Sequence, residues 1–310
     1  MRLNTGFSMV IVLAFLGVTM WADPKSTVSQ IDGPGAFFTD AAGINNRGDI
    51  VGSFQDGRGV HGYVFRRGNF TVIDVPVQGA QTVAMGNNER GQVSGAYRSQ
   101  GLFKGFVWDA GRFTTGIASP GDDESFLHVI NNRGQIVGHS RRDVFSLARA
   151  FLWEDGKFTF LDLPGVLVVG RNRESMGLND RGDVVGTFQS QGINHGFLFI
   201  GGDIIQIDVP GARSTRAAGI NNRGEIVGSF IDASDVERAY LRHTDGTFTE
   251  IDAPEAAGIA AVRINDRSDI VGMFNDAAGR FSGFVWNRGS DSTASMPGLF
   301  RRIDARAGLE

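Results

Sequence analysis

The sequence predicts an all-β fold, a six-bladed β-propeller built from six repeats of about 44 residues, each with about four antiparallel strands. Three observations predict it: a box rich in Asn and Gly that recurs six times, apolar residues on both faces of the segments between these boxes, and the composition. The 310 residues include 44 glycines and 24 phenylalanines but only 8 prolines. Such a composition favours many short strands joined by tight turns.

The first box reads Gly-Ile-Asn-Asn-Arg-Gly-Asp-Ile-Val-Gly in its first copy, and its six copies begin at Gly43, Gly86, Val129, Gly177, Gly219 and Arg263. The last glycine falls at positions 52, 95, 138, 186, 228 and 272, so successive copies lie 43, 43, 48, 42 and 44 residues apart. We name the strands of one repeat b, c, d and a in chain order. The box predicts the end of strand b, a tight turn at Asn-Asn-Arg-Gly, and strand c.

Two further boxes complete each repeat. The strand d box is HGYVF in its first copy, and its copies begin at His61, Lys104, Arg149, His195, Arg238 and Ser282. The strand a box is an Ile-Asp pair that occurs in sequences such as TVIDVP, found at Thr71, Thr159, Ile205 and Thr249, with shorter copies at Ile31 and Ile303. The second repeat departs from it with Gly116-Ile117-Ala118. Because every box is short and rich in β-branched or aromatic residues, each repeat is predicted to be an antiparallel meander.

Apolar residues alternate on both faces of these strands, as Ile50 and Phe54 do against Val51. A sheet with two apolar faces needs cover on both sides, and blades packed around an axis provide it. The Ile-Asp box occurs at both ends of the chain, so one terminal copy is expected to close the ring by pairing into the blade that holds the other. An open solenoid is the main structural alternative.

The first 22 residues predict a secretory signal peptide. Arg2 precedes an apolar run of 13 residues from Met9 to Trp21, which is short for a membrane span of about 20 residues. We expect cleavage near Ala22, a single propeller domain over residues 23–310, and a secreted, periplasmic or cell-surface location. An uncleaved anchor is the alternative, and no stable membrane insertion is expected after cleavage. The absence of cysteine means that packing alone must stabilise the exported protein.

The boxes resemble those of the HAF-type extracellular repeat proteins, a group named for a His-Ala-Phe-like box. The resemblance covers about residues 28 to 305 and depends on the Gly-Ile-Asn-Asn-Arg-Gly and Ile-Asp-Val-Pro boxes as well as on HGYVF and RAFLW. It implies a bacterial, exported, repeat-built protein. It implies no general activity and no catalytic residues.

The sequence lacks the local motifs of common enzymes. It has no Gly-x-Ser-x-Gly, His-Glu-x-x-His, phosphate-binding Gly-x-x-x-x-Gly-Lys or dinucleotide fingerprint. We therefore expect no cofactor and no metal, and Asn179 to Asp183 only faintly resembles a calcium loop. His61 and His195 fill the same repeat position, which favours a structural role. The repeated aspartates are interpreted as turn caps: Asp74, Asp162, Asp208 and Asp252.

Two loops of irregular length predict a ligand site, because functional residues tend to lie where a repeat departs from its own rules. The c-to-d link of repeat three is about two residues longer than its counterparts, and the a-to-b link that follows it is about four residues longer. Links alternate between the two ends of a meander, so both loops lie on one face. The predicted site is cationic and suits carboxylates or sulfates: Arg141, Arg142, Arg171, Arg173 and Glu174. The alternative is that these are solvated loop charges.

Two functional classes remain open on the sequence alone. The first is a binding or scaffolding module for an extracellular glycan or protein partner, which we expect to be a monomer. The alternative is a polysaccharide hydrolase or lyase with a site at the mouth of the propeller. A net charge of −4 and a pI near 5.8 give no support to nucleic-acid binding.

Overall fold

The computed structural model describes residues 27–143, 145–169, 176–251, 256–277, 279, 281–287 and 299–302. All regular secondary structure in these ranges is β-strand, and the strands form six sheets whose neighbours in sequence pack on one another. Within the same ranges no helix is long and apolar enough to cross a bilayer. The protein is a six-bladed β-propeller, as the repeats predict.

The first strand, β1 (Thr27–Ile31), belongs to the last blade and is described with it. Blade I contains β2 (Phe38–Thr39), β3 (Gly43–Ile44), β4 (Ile50–Asp56), β5 (Gly59–Arg66) and β6 (Asn69–Ile73). Blade II contains β7 (Gln81–Asn87), β8 (Val93–Ser99), β9 (Leu102–Asp109) and β10 (Arg112–Ile117). Blade III contains β11 (Glu124–Ile130), β12 (Ile136–Arg141), β13 (Arg149–Glu154) and β14 (Lys157–Phe160).

The remaining three blades follow the same plan. Blade IV contains β15 (Val166–Leu167), β16 (Gly177–Leu178), β17 (Val184–Ser190), β18 (Ile193–Ile200) and β19 (Asp203–Ile207). Blade V contains β20 (Ser214–Ile220), β21 (Ile226–Ile231), β22 (Glu237–Arg242) and β23 (Phe248–Ile251). Blade VI contains β24 (Gly258–Ile264), β25 (Ile270–Asn275), β26 (Phe281–Asn287), β1 and β27 (Leu299–Arg302).

Each blade keeps the predicted order b, c, d, a from the axis outward. In blade III this order is β11-β12-β13-β14, and β11 is buried along its whole length whereas β14 is largely exposed. In blades I and IV two short strands take the place of strand b, and both pair with the same strand c. Strand b is therefore the inner strand that faces the axis and the neighbouring blades.

The ring is closed by the amino-terminal Ile-Asp box. Strand β1 pairs antiparallel with β26, with Ile31 opposite Gly283, and so supplies strand a of blade VI. Strand β27 adds to β1 in parallel register as a fifth, outer strand. The second terminal copy, at Ile303, lies outside the described residues. Blade VI therefore combines one amino-terminal strand with four strands from the carboxy-terminal part of the chain.

The glycine that ends each Ile-Val-Gly box allows a close approach of strands. A Cβ on Gly95 or Gly272 would overlap the backbone carbonyl of strand b in the same blade, and it would also contact the ring of the strand d aromatic residue. These aromatic residues are fully buried and pack beside the glycines: Tyr63, Phe106, Phe151, Phe197, Tyr240 and Phe284. The paired glycine and aromatic residue thus explain why both boxes recur.

Candidate ligand-binding site

The propeller has two different faces because the links alternate between the ends of the strands. We call the end with the six b-to-c turns the Asn face, and the end with the c-to-d and a-to-b links the loop face. Each face has a cavity. The cavity of the Asn face lies on the axis, and that of the loop face is lined by blades I, II and III.

Two rings of hydrogen bonds surround the axis on the Asn face. In each turn the first Asn donates its side-chain amide to the backbone carbonyl of the matching Asn in the next blade, at 3.0–3.2 Å. The second residue of each turn accepts, through its side-chain oxygen, the backbone N–H of the preceding blade at 2.5–2.8 Å. These second residues alternate between amides and carboxylates: Asn46, Glu89, Asn132, Asp180, Asn222 and Asp266.

The axial cavity inside these rings has a volume of about 80 Å³, and Arg263 lines it. Arg263 replaces the Gly or Val found at the same position in the other repeats, and it is 6% exposed. Its guanidinium donates to the carbonyls of Ala218 and Val262, and to that of His128 in blade III. Burial lowers the pKa of Arg263 to about 9. The side chain thus links blades III, V and VI across the axis.

The cavity of the loop face is larger, about 230 Å³. We call it the loop-face pocket. Blades I, II and III all contribute to its lining, which consists of Phe38, Ser53, Gln55, Val60, Gln81, Val83, Met85, Phe103 and Phe126. The lining contains no charged side chain.

Burial divides this lining into a floor and a mouth. Met85, Phe103 and Phe126 are between 4% and 9% exposed and form an apolar floor, where the rings of Phe103 and Phe126 lie 4.7 Å apart. Gln81 is exposed and Gln55 is half-buried, so their amides lie at the mouth. An amide donates and accepts hydrogen bonds, whereas the floor offers aromatic and aliphatic surface. The pocket suits an uncharged ligand that has a polar side and an apolar side.

Ser53 is the remaining polar group of the lining, and it is engaged with Asp40. Its backbone N–H and its hydroxyl donate to the Asp40 carboxyl at 2.6 and 2.8 Å. Burial raises the pKa of Asp40 to about 6, against the lowering effect of these two hydrogen bonds. The carboxyl is 3% exposed and is not part of the lining.

A pair of buried histidines lies behind the floor. The ring of His139 stacks on Phe126 with centroids 4.6 Å apart, and its Nδ1 lies 2.7 Å from Nε2 of His128. Burial lowers the pKa of His139 to about 3, and it lowers that of His128 well below its usual range. Both rings are therefore neutral at physiological pH. Among the described residues, no group of three His, Cys, Asp or Glu side chains could hold a metal ion.

The predicted cationic site is described only in part. Arg141 forms an ion pair with Glu124 through Nε and Oε2 at 2.6 Å, and Glu124 is 1% exposed. Arg142 is exposed on the loop face. The other predicted residues, Arg171, Arg173 and Glu174, lie outside the described residues, so the site stays a prediction.

The repeated His and Asp residues form pairs between strands d and a. Nδ1 of His61 lies 2.9 Å from Asp74, and Nδ1 of His195 lies 2.9 Å from Asp208. The contact of Nδ1 with the aspartate is the same in both blades, which fits the structural role expected from the repeat position of the two histidines. They also give Asp74 and Asp208 a partner that the interpretation as turn caps did not include. Asp252 lies outside the described residues.

The sequence matches no protein-family profile and no curated protein. Solved structures match the fold. The Aleuria aurantia lectin in complex with Fucα1-6GlcNAc has a TM-score of 0.52 and 14% identity over 88% of this chain and 96% of that chain. AofleA from Arthrobotrys oligospora has a TM-score of 0.52 and 13% identity over 87% and 88%. A gluconolactonase from Xanthomonas campestris has a TM-score of 0.51 and 10% identity over 86% and 98%. At these identities the likeness shows the fold alone.

Proposed function

We propose that the protein is a secreted glycan-binding module and that the loop-face pocket is its binding site. The observation behind this proposal is the lining itself, in which aromatic floor residues face amide side chains at the mouth. Sugar rings have the same division, because their C–H faces are apolar and their edges are hydroxyl groups. The likeness to a lectin crystallised with a fucosyl disaccharide supports the proposal.

Export is part of the same proposal. It is supported by the apolar run that follows Arg2 and by the resemblance of the boxes to HAF-type repeat proteins. A rigid ring with a binding pocket on one face suits display at a cell surface. A protein partner on the loop face is the alternative within this class of function.

A hydrolase or lyase remains the second candidate, and one observation favours it. Three carboxylates lie close to the axis at the mouth of the Asn face, those of Glu89, Asp180 and Asp266. Each of them accepts a backbone N–H from the preceding blade. Their hydrogen bonds hold the ring together, which leaves the binding module as the better supported function.

Thermal unfolding against an array of neutral and acidic glycans tests the proposal, with product analysis of every hit. A ligand that binds only the native state stabilises it by about 2.7 kcal/mol at 100 times its dissociation constant. We expect a shift with the glycan recovered intact. Shortened products would establish an enzyme, and a protein that no glycan stabilises would contradict glycan binding.

A further inference from the structure

The loop-face pocket indicates which class of sugar it takes. We infer that its ligand is a neutral saccharide with a methyl group, and that the methyl group seats on the floor formed by Met85, Phe103 and Phe126. This inference rests on the proposed function. It differs from the acidic ligand that the arginine-rich loops predict.

The lining of the loop-face pocket carries no charged side chain. The nine lining residues include no Lys, Arg, His, Asp or Glu. The guanidinium of Arg98 lies over the ring of Phe103, 5.9 Å from its centroid, but Arg98 is exposed and is not part of the lining. A carboxylate or sulfate that entered the pocket would lose its hydration without gaining a cation in the lining. The ligand is therefore uncharged.

Two carboxylates lie next to lining residues, that of Glu124 beside Phe103 and that of Asp40 beside Ser53, and each is hydrogen-bonded within the protein. Glu124 accepts hydrogen bonds from the backbone N–H of Phe103 at 3.3 Å and from Nε of Arg141 at 2.6 Å. The carboxyl of Asp40 accepts both hydrogen bonds of Ser53. These contacts satisfy the charges inside the blades, so the charges take no part in the lining.

The floor of the pocket offers apolar contact and no strong hydrogen-bonding group. A hydroxyl group placed there would lie among the thioether of Met85 and two phenyl rings, which offer no strong hydrogen-bond partner. The hydroxyl of Ser53 lies outside this floor, and its proton is donated to the Asp40 carboxyl. A buried hydroxyl without a partner is costly, whereas a methyl group gains apolar contact. The floor therefore selects a methyl group over a hydroxymethyl group.

The volume of the loop-face pocket limits the size of its ligand. The pocket volume of about 230 Å³ is below the roughly 300–1,000 Å³ of pockets that hold drug-sized ligands. One sugar ring suits such a space. The methyl group has two chemical sources on a neutral ring, the C6 position of a 6-deoxyhexose and the N-acetyl group of an N-acetylhexosamine.

Calorimetric titration of the mature protein with methyl glycosides tests the inference. One arm compares a 6-deoxyhexose with the parent hexose and the corresponding uronic acid. The other arm compares an N-acetylhexosamine with the same hexose. We expect the methyl-bearing sugar of one arm to bind at least about ten-fold more tightly than the hexose, and the uronic acid to bind least. Equal binding of hexose and methyl-bearing sugars, or tighter binding of the uronic acid, would overturn the inference while glycan binding stands.

Substitution of the floor provides the second measurement. Met85→Gln keeps the length of the side chain but places an amide on the floor, so it should remove most of the preference for the methyl group. Met85→Leu keeps the floor apolar and should retain the preference. If both variants retain it, the floor does not select the methyl group. If no saccharide in either arm binds the wild type although the glycan array gives a hit, the inference fails; if the array gives no hit either, the proposed function itself fails.

Discussion

Asn265 donates its side-chain amide to the backbone carbonyl of Asn45 at 3.0 Å, across a sequence separation of 220 residues. This contact joins blade VI to blade I, and five equivalent contacts join the other neighbouring blades. The same side chain accepts the backbone N–H groups of Arg267 and Asp269. A single residue thus shapes its own turn and fastens it to the next blade.

Asn265→Ala should destabilise the fold by about 2–3 kcal/mol, because it removes the hydrogen bond to the carbonyl of Asn45 in the next blade and the acceptor for the buried backbone N–H of Asp269. Asn179→Ala is a matched control, since Asn179 makes the same contact to Asn221 between blades IV and V, which are consecutive in the sequence. Urea unfolding should show similar losses for the two variants. A much smaller loss for Asn265→Ala would mean that the last seam of the ring does not contribute to stability as the others do.

The buried histidine pair predicts sensitivity to acid. In the folded state the pKa values of His128 and His139 are lowered, that of His139 to about 3, whereas in the unfolded state both are near 6.5. The unfolded chain therefore binds protons first as pH falls below about 6.5, and stability is lost from there down to about pH 3. Each histidine adds a slope of up to about 1.4 kcal/mol per pH unit in this window.

His139→Ser tests this prediction, because Ser53 and Ser229 occupy the same position in blades I and V. The variant should be less stable than the wild type at pH 7.5, because it lacks the ring that stacks on Phe126. Between pH 6.5 and 4, however, its stability should fall less steeply than that of the wild type. Melting temperatures measured across this range give the slope. A slope equal to that of the wild type would show that His139 takes up its proton in the folded state.

Asp40 predicts the opposite dependence on pH. Its folded pKa of about 6 is raised above the unfolded value of about 4. The contribution of Asp40 to the free energy of unfolding is therefore full below about pH 4 and is lost as the pH rises through 6. Asp40→Asn keeps an acceptor for the N–H of Ser53 and removes the buried charge. The variant should be more stable than the wild type by about 2 kcal/mol at pH 7 and similar to it at pH 4. Denaturation at the two pH values measures this; an advantage that does not change with pH would contradict it.

The ion pair of Arg141 and Glu124 predicts a loss of stability from either single substitution. Glu124 is 1% exposed, so Arg141→Ala leaves a buried carboxylate without its cation, at a cost of about 2 kcal/mol. Combining it with Glu124→Gln should restore part of the loss. Arg142→Ala, one residue away and exposed, should change stability little. A double variant no more stable than Arg141→Ala would show that the buried carboxylate is not the cause.

The repeats predict the architecture because each box has a physical role in every blade. The Asn of the b-to-c turn, the glycine of strand c and the aromatic residue of strand d are needed six times, so they recur in the sequence. The expected closure by a terminal Ile-Asp box also holds, and β1 is the strand that supplies it. The closed ring follows from these repeated contacts.

The loop-face pocket was not predicted, because its residues come from positions where the repeats differ. Val83, Phe126, Arg216 and Ala260 occupy one position of strand b in four blades and differ in size and in charge. The nine lining residues also belong to three blades. The irregular loop lengths predict instead a site at the arginines of blades III and IV. The signal for this pocket in the sequence is the set of variable positions at the start of strand b, since the fold does not fix them.

The matched pair Gln55→Ala and Gln189→Ala tests glycan binding in the loop-face pocket most directly. The two glutamines occupy the same position of strand c in blades I and IV, but only Gln55 lines the pocket. The measurement is calorimetric titration of each variant with the tightest neutral sugar found for the wild type. We expect Gln55→Ala to weaken binding about ten-fold and Gln189→Ala to leave it unchanged. Unchanged binding by Gln55→Ala, or equal losses in both variants, would contradict the assignment of this pocket as the binding site.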